Sequence, residues 1–395
     1  MKRIAGLILT LALLGNAAPS PGPAPEPAPA ANYDALGLTL LGTLAGGANA
    51  GNVFISPLSI GVALGMASDG AAGATRDAMR KTLGLSGDSS AANANLIAEL
   101  KANDDAKVGI ANALWLRADA PPLPAYVAHL QSVYAAKSAA LHFGDPSAAA
   151  AINAWTKDNT LGLIDHLVDD TQPSDVLYLT NALAFVGKWS TPFEKSATQP
   201  GPFTEADGTS AQVPMMSRTG EFETADGDGF RTLRMPYGKG GYAAYILMPA
   251  SGKLADFVRT LDAAHFAAAA NSLTSQRLHV EVPRFTARYK TSLNQPLAAA
   301  GMGVAFSGGA DFSNIRTTSP RVAISNVEHA TYLSVDEAGT TAAAATSIGF
   351  RALAMPATLK QFIVDKPFVF AIRDEKIGAL LFVGAIGSIP AASSP

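Results

Sequence analysis

The chain has 395 residues, of which 48% are hydrophobic and 15% charged, so it is long and apolar enough to bury a large core. This composition excludes a disordered chain, and the formal net charge of -3 argues against nucleic acid or an anionic membrane surface as the main partner. The sequence contains no cysteine, which excludes disulfides, thiolate metal sites and thiol catalysis.

Residues 1–17 have the layout of a secretory signal peptide. Two basic residues precede an apolar run at 4–14, and small residues follow as far as Ala18. The run is too short to span a bilayer comfortably. We expect cleavage after Ala17 and a secreted or periplasmic protein of bacterial origin, with no membrane insertion of the mature chain.

The remainder of the chain is predicted to form one large domain with two short flanking segments. Residues 18–31 are rich in Pro and Ala, which predicts an extended linker. From residue 32 to residue 390 there is no linker, charge run or repeat, so a single domain is preferred although the length alone would suggest two or more. Residues 391–395 are expected to form a disordered tail.

The pattern of apolar residues predicts a mixed α+β protein with a largely antiparallel sheet. Amphipathic helical stretches concentrate before about Val168, and strand-like runs follow. The run 368–372 has no polar alternation, as expected of a strand covered on both faces. The predicted strands are residues 177–185, 242–248, 278–282, 322–335, 362–372 and 379–386.

Patterns typical of hydrolases and metalloenzymes are absent from the sequence. No G-x-S-x-G, S-x-x-K or H-E-x-x-H pattern occurs, and the six histidines are scattered without the spacing of a zinc site. We therefore expect no metal, no cofactor and no enzymatic activity. Because a catalytic triad is assembled in space rather than in sequence, a secreted hydrolase stays open as an alternative.

The segment 335–374 places a stretch of small residues ahead of an apolar strand. From Thr340 to Thr346 every side chain is Thr or Ala. Such a segment suits a loop that is mobile in one state and fits between strands in another. Since Ala is the best helix former, a helix or linker is the alternative for residues 342–345.

This segment resembles the reactive-centre loop of the serpin family. The sequence Asp336-Glu337-Ala338-Gly339-Thr340 resembles the serpin hinge, and Asp365-Lys366-Pro367-Phe368 resembles the family's carboxyl-terminal signature. Other motifs resemble serpin elements in the same order along the chain. They lie at residues 52–60 and 75–76, 152–164, 180–193, 282–285, 297–302 and 310–313.

The resemblance implies the serpin fold, an α+β architecture with about eight to nine helices, three β-sheets and a mobile reactive-centre loop. It also implies a serine-type endopeptidase inhibitor that acts by suicide cleavage. The protease forms an acyl-enzyme on the loop, the hinge inserts into the main sheet, and the covalent complex is trapped. A non-inhibitory serpin with a binding or storage role is the alternative within the family.

The resemblance also sets the expected partners. The target serine protease binds covalently, the inhibitor is expected to be a monomer, and no cofactor is implied. Animal serpins that bind heparin carry a basic patch in the segment that corresponds to residues 86–107, where this chain has few lysines. We therefore expect no heparin-type cofactor.

The hinge and the loop arm that follows it meet the requirement of insertion for small side chains. Since a strand has period two, we predict that Thr340, Ala342, Ala344 and Thr346 pack beneath the helix that crosses the main sheet, with Ser347 on the opposite face. Gly339 gives the pivot its backbone freedom. The hinge residues are Glu337, Gly339, Thr340, Thr341, Ala342, Ala343, Ala344, Ala345 and Thr346.

The loop length typical of the family, counted from Glu337, places the reactive bond between Leu353 and Ala354. A leucine at this position indicates a chymotrypsin- or elastase-like target. Phe350 and Met355 are alternatives that suit similar pockets, and Arg351 would indicate a trypsin-like protease.

Two further groups are implied by position in the family. His329 matches the shutter histidine, with Ser56, Ser59 and Asn181 as neighbours in a buried polar cluster that holds the central strands together. Trp189 matches the breach tryptophan, which lies under the point where the loop enters the sheet.

Overall fold

The computed structural model describes residues 29–46, 51–227, 229–317, 322–340 and 359–390. Within these residues no helix combines the length and apolar character that crossing a bilayer requires. The described chain forms nine α-helices: α1 (Pro29–Ala45), α2 (Pro57–Gly70), α3 (Gly73–Leu83), α4 (Ser90–Ala102), α5 (Pro124–Tyr134), α6 (Pro146–Asn159), α7 (Leu254–Thr260), α8 (Ala263–Asn271) and α9 (Asn294–Leu297).

Helix α1 begins earlier than the sequence suggested. Residues 29–31 were predicted as the end of the linker, but they form the first turn of the helix. Pro29 suits this position because proline lacks an N–H, and the first N–H groups of a helix have no partner within it. The predicted signal peptide, the rest of the linker up to residue 28 and the tail at 391–395 lie outside the described residues.

The strands form two sheets in the described part of the chain. They are β1 (Val53–Ile55), β2 (Lys107–Arg117), β3 (Lys137–Leu141), β4 (Leu177–Lys188), β5 (Gln199–Thr204), β6 (Ser210–Gly227), β7 (Phe230–Tyr237), β8 (Tyr242–Pro249), β9 (Thr274–Pro283), β10 (Phe285–Ser292), β11 (Ile324–Asp336), β12 (Gly339–Thr340), β13 (Gln361–Ile363), β14 (Phe368–Asp374) and β15 (Ala379–Ile386).

The six-stranded sheet has the order β10-β11-β12-β4-β2-β3. Its two central strands, β11 and β4, also pair directly with each other in parallel, from Ile324 opposite Leu177 to Tyr332 opposite Ala184. The two-residue strand β12 lies between them at one end only and is antiparallel to both. The sheet is therefore closed along most of its length and open for an extra strand at that end.

The nine-stranded sheet has the order β1-β15-β14-β8-β7-β6-β9-β13, with β5 paired to β6. Strand β6 joins its two halves, because Glu223 to Gly227 pair with β7 while Met215 to Thr224 pair with β9. Two of the three predicted sheets are thus continuous through this one long strand. The serpin-type α+β architecture that the sequence predicted is otherwise the one observed.

The order of helices and strands differs from the predicted division at Val168. Strands β2 and β3 precede that residue, and helices α7, α8 and α9 follow it. The predicted strand at 362–372 is two strands, because the chain leaves β13 after Ile363 and re-enters the sheet at Phe368. Pro367, which has no N–H for a ladder, lies in the gap.

The main core lies between the two sheets and includes helix α2. The helix is buried on nearly its whole circumference, as expected for a helix without a polar face. Ser56 caps it by accepting a hydrogen bond from the Ser59 N–H at 3.2 Å. The rings of Phe185 on β4 and Tyr237 on β7 lie 5.0 Å apart and connect the two sheets.

Helix α6 covers the outer face of the six-stranded sheet. Its side chains Ala148, Ala149 and Ile152 share a small core with sheet residues that include Ala182 and Ala330. The sheet contributes alanines at these contacts, so the helix lies close to the strands. A strand that entered the sheet would therefore have to present small side chains on this face.

A carboxyl group on α1 is buried in the main core. Asp34 is 8% exposed, and its Oδ1 accepts a hydrogen bond from the Leu380 N–H at 2.9 Å. Burial raises the pKa of Asp34 from 3.8 to about 7, against smaller lowering effects of the Leu380 N–H and Arg373. The folded state therefore holds this proton more tightly, and the resulting stability is lost as pH rises from 3.8 to about 7.

We expect Asp34→Asn to be more stable relative to the wild type at pH 8 than at pH 4. The amide mimics the protonated carboxyl and cannot ionise, so the variant lacks a pH-dependent loss of up to about 4 kcal/mol. Urea unfolding of both proteins across this pH range measures the difference. A difference that stays constant with pH would contradict a buried, titrating Asp34.

Candidate functional site

The first residues of the hinge are already part of the six-stranded sheet. Thr340 pairs with Val335 of β11 and Gly187 of β4, while Gly339 pairs with Asp336 and Lys188. Beyond this point the two central strands pair with each other. The hinge therefore occupies the open end of the sheet, at the place where further residues would have to enter.

A tight turn joins β11 to the hinge. The Asp336 carboxylate accepts hydrogen bonds from the N–H groups of Ala338 at 2.8 Å and Gly339 at 3.1 Å. Burial raises the pKa of Asp336, against the lowering effect of these two donors. A Cβ at Gly339 would lie only 2.1 Å from the carbonyl oxygen of Gly187, so this position requires glycine for space.

Thr340 points into the main core. It is fully buried, and its Oγ1 lies 2.6 Å from the hydroxyl of Tyr237, which is buried as well. The prediction that Thr340 packs beneath the cross-sheet helix is therefore wrong. Residues opposite each other in a ladder share a face, and Val335 belongs to the main core, whereas Ala330 contacts the core under α6.

Trp189 holds the turn in place from the end of β4. Its Nε1 donates to the carbonyl of Asp336 at 2.9 Å, and its backbone N–H donates to the carbonyl of Ala338 at 3.0 Å. The indole also stacks on Tyr237 with ring centroids 4.3 Å apart. Trp189 thus contacts both the turn and the tyrosine that binds Thr340.

The side chain of Glu337 anchors the other side of the turn. Its Oε1 accepts a hydrogen bond from the Thr198 hydroxyl at 2.8 Å and lies 3.5 Å from a guanidinium nitrogen of Arg284. Its backbone carbonyl accepts from the N–H of Phe193 at 2.8 Å. The carboxylate is buried and paired, so the turn is fixed on both sides.

A second polar cluster bridges the two central strands below the hinge. His329 of β11 lies directly opposite Asn181 of β4, and its Nδ1 is hydrogen bonded to the Asn181 Oδ1. The Ser56 N–H donates to the His329 Nε2 at 3.2 Å, so this nitrogen is the acceptor and the proton lies on Nδ1. Burial lowers the pKa of His329 to about 3, which keeps the ring neutral at physiological pH.

The cluster extends from Asn181 to a residue that the sequence did not single out. Asn181 donates to Ser59 Oγ at 2.5 Å and to the Asn112 Oδ1 at 2.6 Å, and the Ser59 hydroxyl also donates to Asn112 at 3.0 Å. Asn112 lies on β2, so the cluster connects α2 with three strands of the sheet. An asparagine in the apolar run of β2 was the signal that would have found it.

The predicted site residues divide between these two places. Glu337, Gly339, Thr340 and Trp189 meet at the open end of the sheet, whereas Ser56, Ser59, Asn181 and His329 meet in the shutter cluster. Tyr237 and Thr198 were missed because no sequence pattern links them to the hinge. The remaining predicted residues lie outside the described residues: Thr341, Ala342, Ala343, Ala344, Ala345, Thr346, Phe350, Arg351, Leu353, Ala354 and Met355. In the described ranges no group of His, Asp and Glu is arranged to hold a metal ion.

The family model for serpins, described as serine protease inhibitors, matches residues 31–389 of this chain. The chain belongs to the serpin family. Serpins are inhibitors or binding proteins rather than hydrolytic enzymes, which agrees with the lack of a catalytic motif.

Similar proteins come from distant organisms. An uncharacterized serpin-like protein of Thermococcus kodakarensis is 33% identical over 353 residues, covering 86% of this chain and 81% of that protein. Serpin-Z1C of Triticum aestivum is 32% identical, covering 85% and 90% of the two chains. The bacterial origin and the export of this serpin stay predictions.

Among solved structures, the thermophilic serpin tengpin in its native state superposes with a TM-score of 0.83 at 29% identity. The superposition covers 91% of this chain and 94% of tengpin. The likeness confirms the predicted serpin fold over the described domain.

Proposed function

We propose that this serpin inhibits a serine endopeptidase by suicide cleavage and insertion of its loop. The serine hydroxyl of the protease attacks the carbonyl of Leu353, forms an ester with it, and releases the amine of Ala354. The freed arm then enters the six-stranded sheet and carries the attached protease with it. The observation that supports this most is the position of Gly339 and Thr340 between β11 and β4.

The geometry of the sheet favours continued insertion. Strand β12 is antiparallel to both neighbours, whereas β11 and β4 are parallel to each other. Each further residue of the arm would replace part of one parallel ladder by two antiparallel ladders, which are slightly more stable per residue. Extension of β12 therefore increases the number of backbone hydrogen bonds, because β11 and β4 would each pair with the inserted strand instead of with each other.

Side-chain size is compatible with the same process. Continuing the alternation from Thr340, residues Ala342, Ala344 and Thr346 would face the main core, and the intervening residues would face α6. Since the residues from 341 to 346 are all Thr or Ala, neither face receives bulk or charge. Both faces of the opened sheet would accept these side chains.

The shutter cluster opposes premature insertion. His329 and Asn181 lie on the two strands that must separate, and their hydrogen bond crosses the gap. Opening the sheet breaks this bond before the arm can replace it. The cluster thus retains the native arrangement until cleavage frees the arm.

The experiment that tests this function is a gel with proteases of chymotrypsin, elastase, trypsin and subtilisin type. We expect a complex with one of them that survives SDS, because the ester to Leu353 is covalent. The same protease with its catalytic serine chemically blocked is the control and should give no complex. Complete loop cleavage without any complex, across the panel, would contradict inhibition.

We expect the reactive bond to be Leu353–Ala354 and the target to be chymotrypsin- or elastase-like. Mass spectrometry of the inhibitor released from the complex measures the new carboxyl terminus. A terminus at Leu353 supports the assignment, whereas a terminus at Phe350, Arg351 or Met355 replaces it. The secreted or periplasmic location, the monomeric state and the lack of a heparin-type cofactor belong to the same proposal.

Gly339→Ala should raise the amount of serpin needed to inhibit one equivalent of protease. The added Cβ would meet the backbone of Gly187 and Lys188 at 2.1 and 2.7 Å, so this part of the hinge must shift from its place in the sheet at a cost of about 1–3 kcal/mol. Gly227→Ala is the matched control, because a Cβ there has no atom within 4 Å. Equal stoichiometry for the two variants would show that Gly339 is not constrained by this contact.

A further inference from the structure

A small cavity lies against the breach tryptophan, Trp189. Its volume is about 120 Å³, and its walls come from the segment after β4 and from strands β6, β7 and β9. Trp189, Phe193 and Phe222 line it with aromatic surface, and Arg218 and Arg234 bring positive charge. Glu221 and Glu223 also line it, so aromatic surface and charged groups of both signs share its walls.

The guanidinium of Arg218 has no protein counter-ion in the described part of the chain. It lies over the ring of Phe222 at 4.3 Å and that of Phe193 at 5.6 Å. Its Nε is buried without a hydrogen-bond acceptor. Burial lowers the pKa of Arg218 to about 10, so the group still carries its charge at neutral pH.

The neighbouring carboxylates do not supply the missing partner. Glu223 is paired with Arg234, the second arginine of the cavity, and Glu375 lies 3.6 Å from the same guanidinium. No carboxylate of the described residues lies within ion-pair distance of Arg218. A buried donor on a charged group that lacks an acceptor is costly, so a ligand that supplies one would be stabilised.

We propose that this cavity binds a small monocarboxylate with an apolar body. The carboxylate would accept hydrogen bonds from the Arg218 guanidinium, whose planar fork matches its two oxygens. The apolar body would lie against Trp189 and Phe193. Aromatic walls favour such a ligand over inorganic phosphate or sulfate, which have no apolar part.

The ligand site shares a wall with the hinge. The indole of Trp189 lines the cavity and also donates to the Asp336 carbonyl. Binding should therefore change the environment of this indole. The other two tryptophans, Trp115 of β2 and Trp155 of α6, pack against each other and are expected to be unaffected.

The test is a titration of the full-length protein, labelled with 15N at its three tryptophan indoles, with benzoate at constant ionic strength. We expect a saturable shift of one indole signal, absent from the titration with benzamide, the uncharged isostere, and much weaker with inorganic phosphate. An equal response to benzamide or phosphate, or no saturable shift, would overturn the proposal. This comparison uses only the wild-type protein and does not depend on protease inhibition.

Two variants locate the site. Arg218→Gln removes the charge and should weaken benzoate binding at least about tenfold. Arg277→Gln removes an exposed arginine from the adjacent strand β9 and should leave the affinity unchanged. If Arg218→Gln binds as well as the wild type, or if Arg277→Gln weakens binding equally, the carboxylate site is not at Arg218. Should Arg218→Gln fail to fold, Arg218→Lys, which keeps the charge but loses the fork, is expected to bind more weakly than the wild type, and unchanged affinity would count against the site.

Discussion

We expect Thr340→Arg to convert the proposed inhibitor into a substrate of its target protease. Thr340 is fully buried between β11 and β4, with its hydroxyl 2.6 Å from that of Tyr237. An arginine there would bury an unpaired charge in the main core, which costs several kcal/mol. Insertion should then be too slow to trap the acyl-enzyme, and the protease should be released. The stoichiometry of inhibition, with the ratio of cleaved serpin to complex on a gel, measures this.

Two companion variants test whether the effect comes from the buried charge, from loss of the hydrogen bond to Tyr237, or from residue 340 alone. Thr340→Val keeps the shape but leaves the buried Tyr237 hydroxyl without its partner, at about 1–3 kcal/mol. This cost is below that of a buried charge, so the variant should remain an inhibitor. Ala344→Asp, which strand alternation places on the same face, should behave like Thr340→Arg. A Thr340→Arg variant with wild-type stoichiometry would contradict the insertion of this residue into the core.

His329→Ala should lower the melting temperature of the native protein and promote polymers on gentle heating. The change leaves the Asn181 Oδ1 and the Ser56 N–H without their partner, at about 1–3 kcal/mol for each buried group. It also removes the bond that crosses between β11 and β4. Size-exclusion chromatography after mild heating measures the polymers, and His265→Ala, at an exposed histidine on α8, is the control.

The stability of the His329→Ala variant should also depend on pH in a characteristic way. Since burial lowers the pKa of His329 from 6.5 to about 3, the stability that the neutral ring provides is present above pH 6.5 and is lost as pH falls toward 3. The stability difference between wild type and His329→Ala should therefore shrink on acidification. Retained monomer after heating, together with a pH-independent difference, would contradict the gating role of the cluster.

The sequence was sufficient for the fold because the serpin motifs occur in order along the chain. It predicted four residues of the shutter cluster and the breach tryptophan by position in the family. It did not predict the face of Thr340 correctly, because alternation defines two faces but only the register against Val335 decides which is buried. Asn112 and Tyr237 contact the site from β2 and β7, and such contacts depend on tertiary packing rather than on local pattern.

The strands showed the same dependence on tertiary structure. The apolar run around Val364 and Pro367 was predicted as one strand. Its first half, β13, pairs with β9, whereas its second half, β14, pairs with β8 and β15 elsewhere in the nine-stranded sheet. The sequence pattern also did not predict that this sheet is continuous through β6. The continuity arises because one long strand pairs with both β7 and β9.

We propose that the native protein lies above its free-energy minimum and that the loop, once cut, becomes a strand of the six-stranded sheet. The most direct measurement is the melting temperature before and after nicking the loop between residues 341 and 358 with a protease that is not trapped. Insertion predicts a clear rise, because the freed arm extends β12 and replaces part of one parallel ladder by two antiparallel ladders. An unchanged or lower melting temperature in the nicked protein would contradict the account.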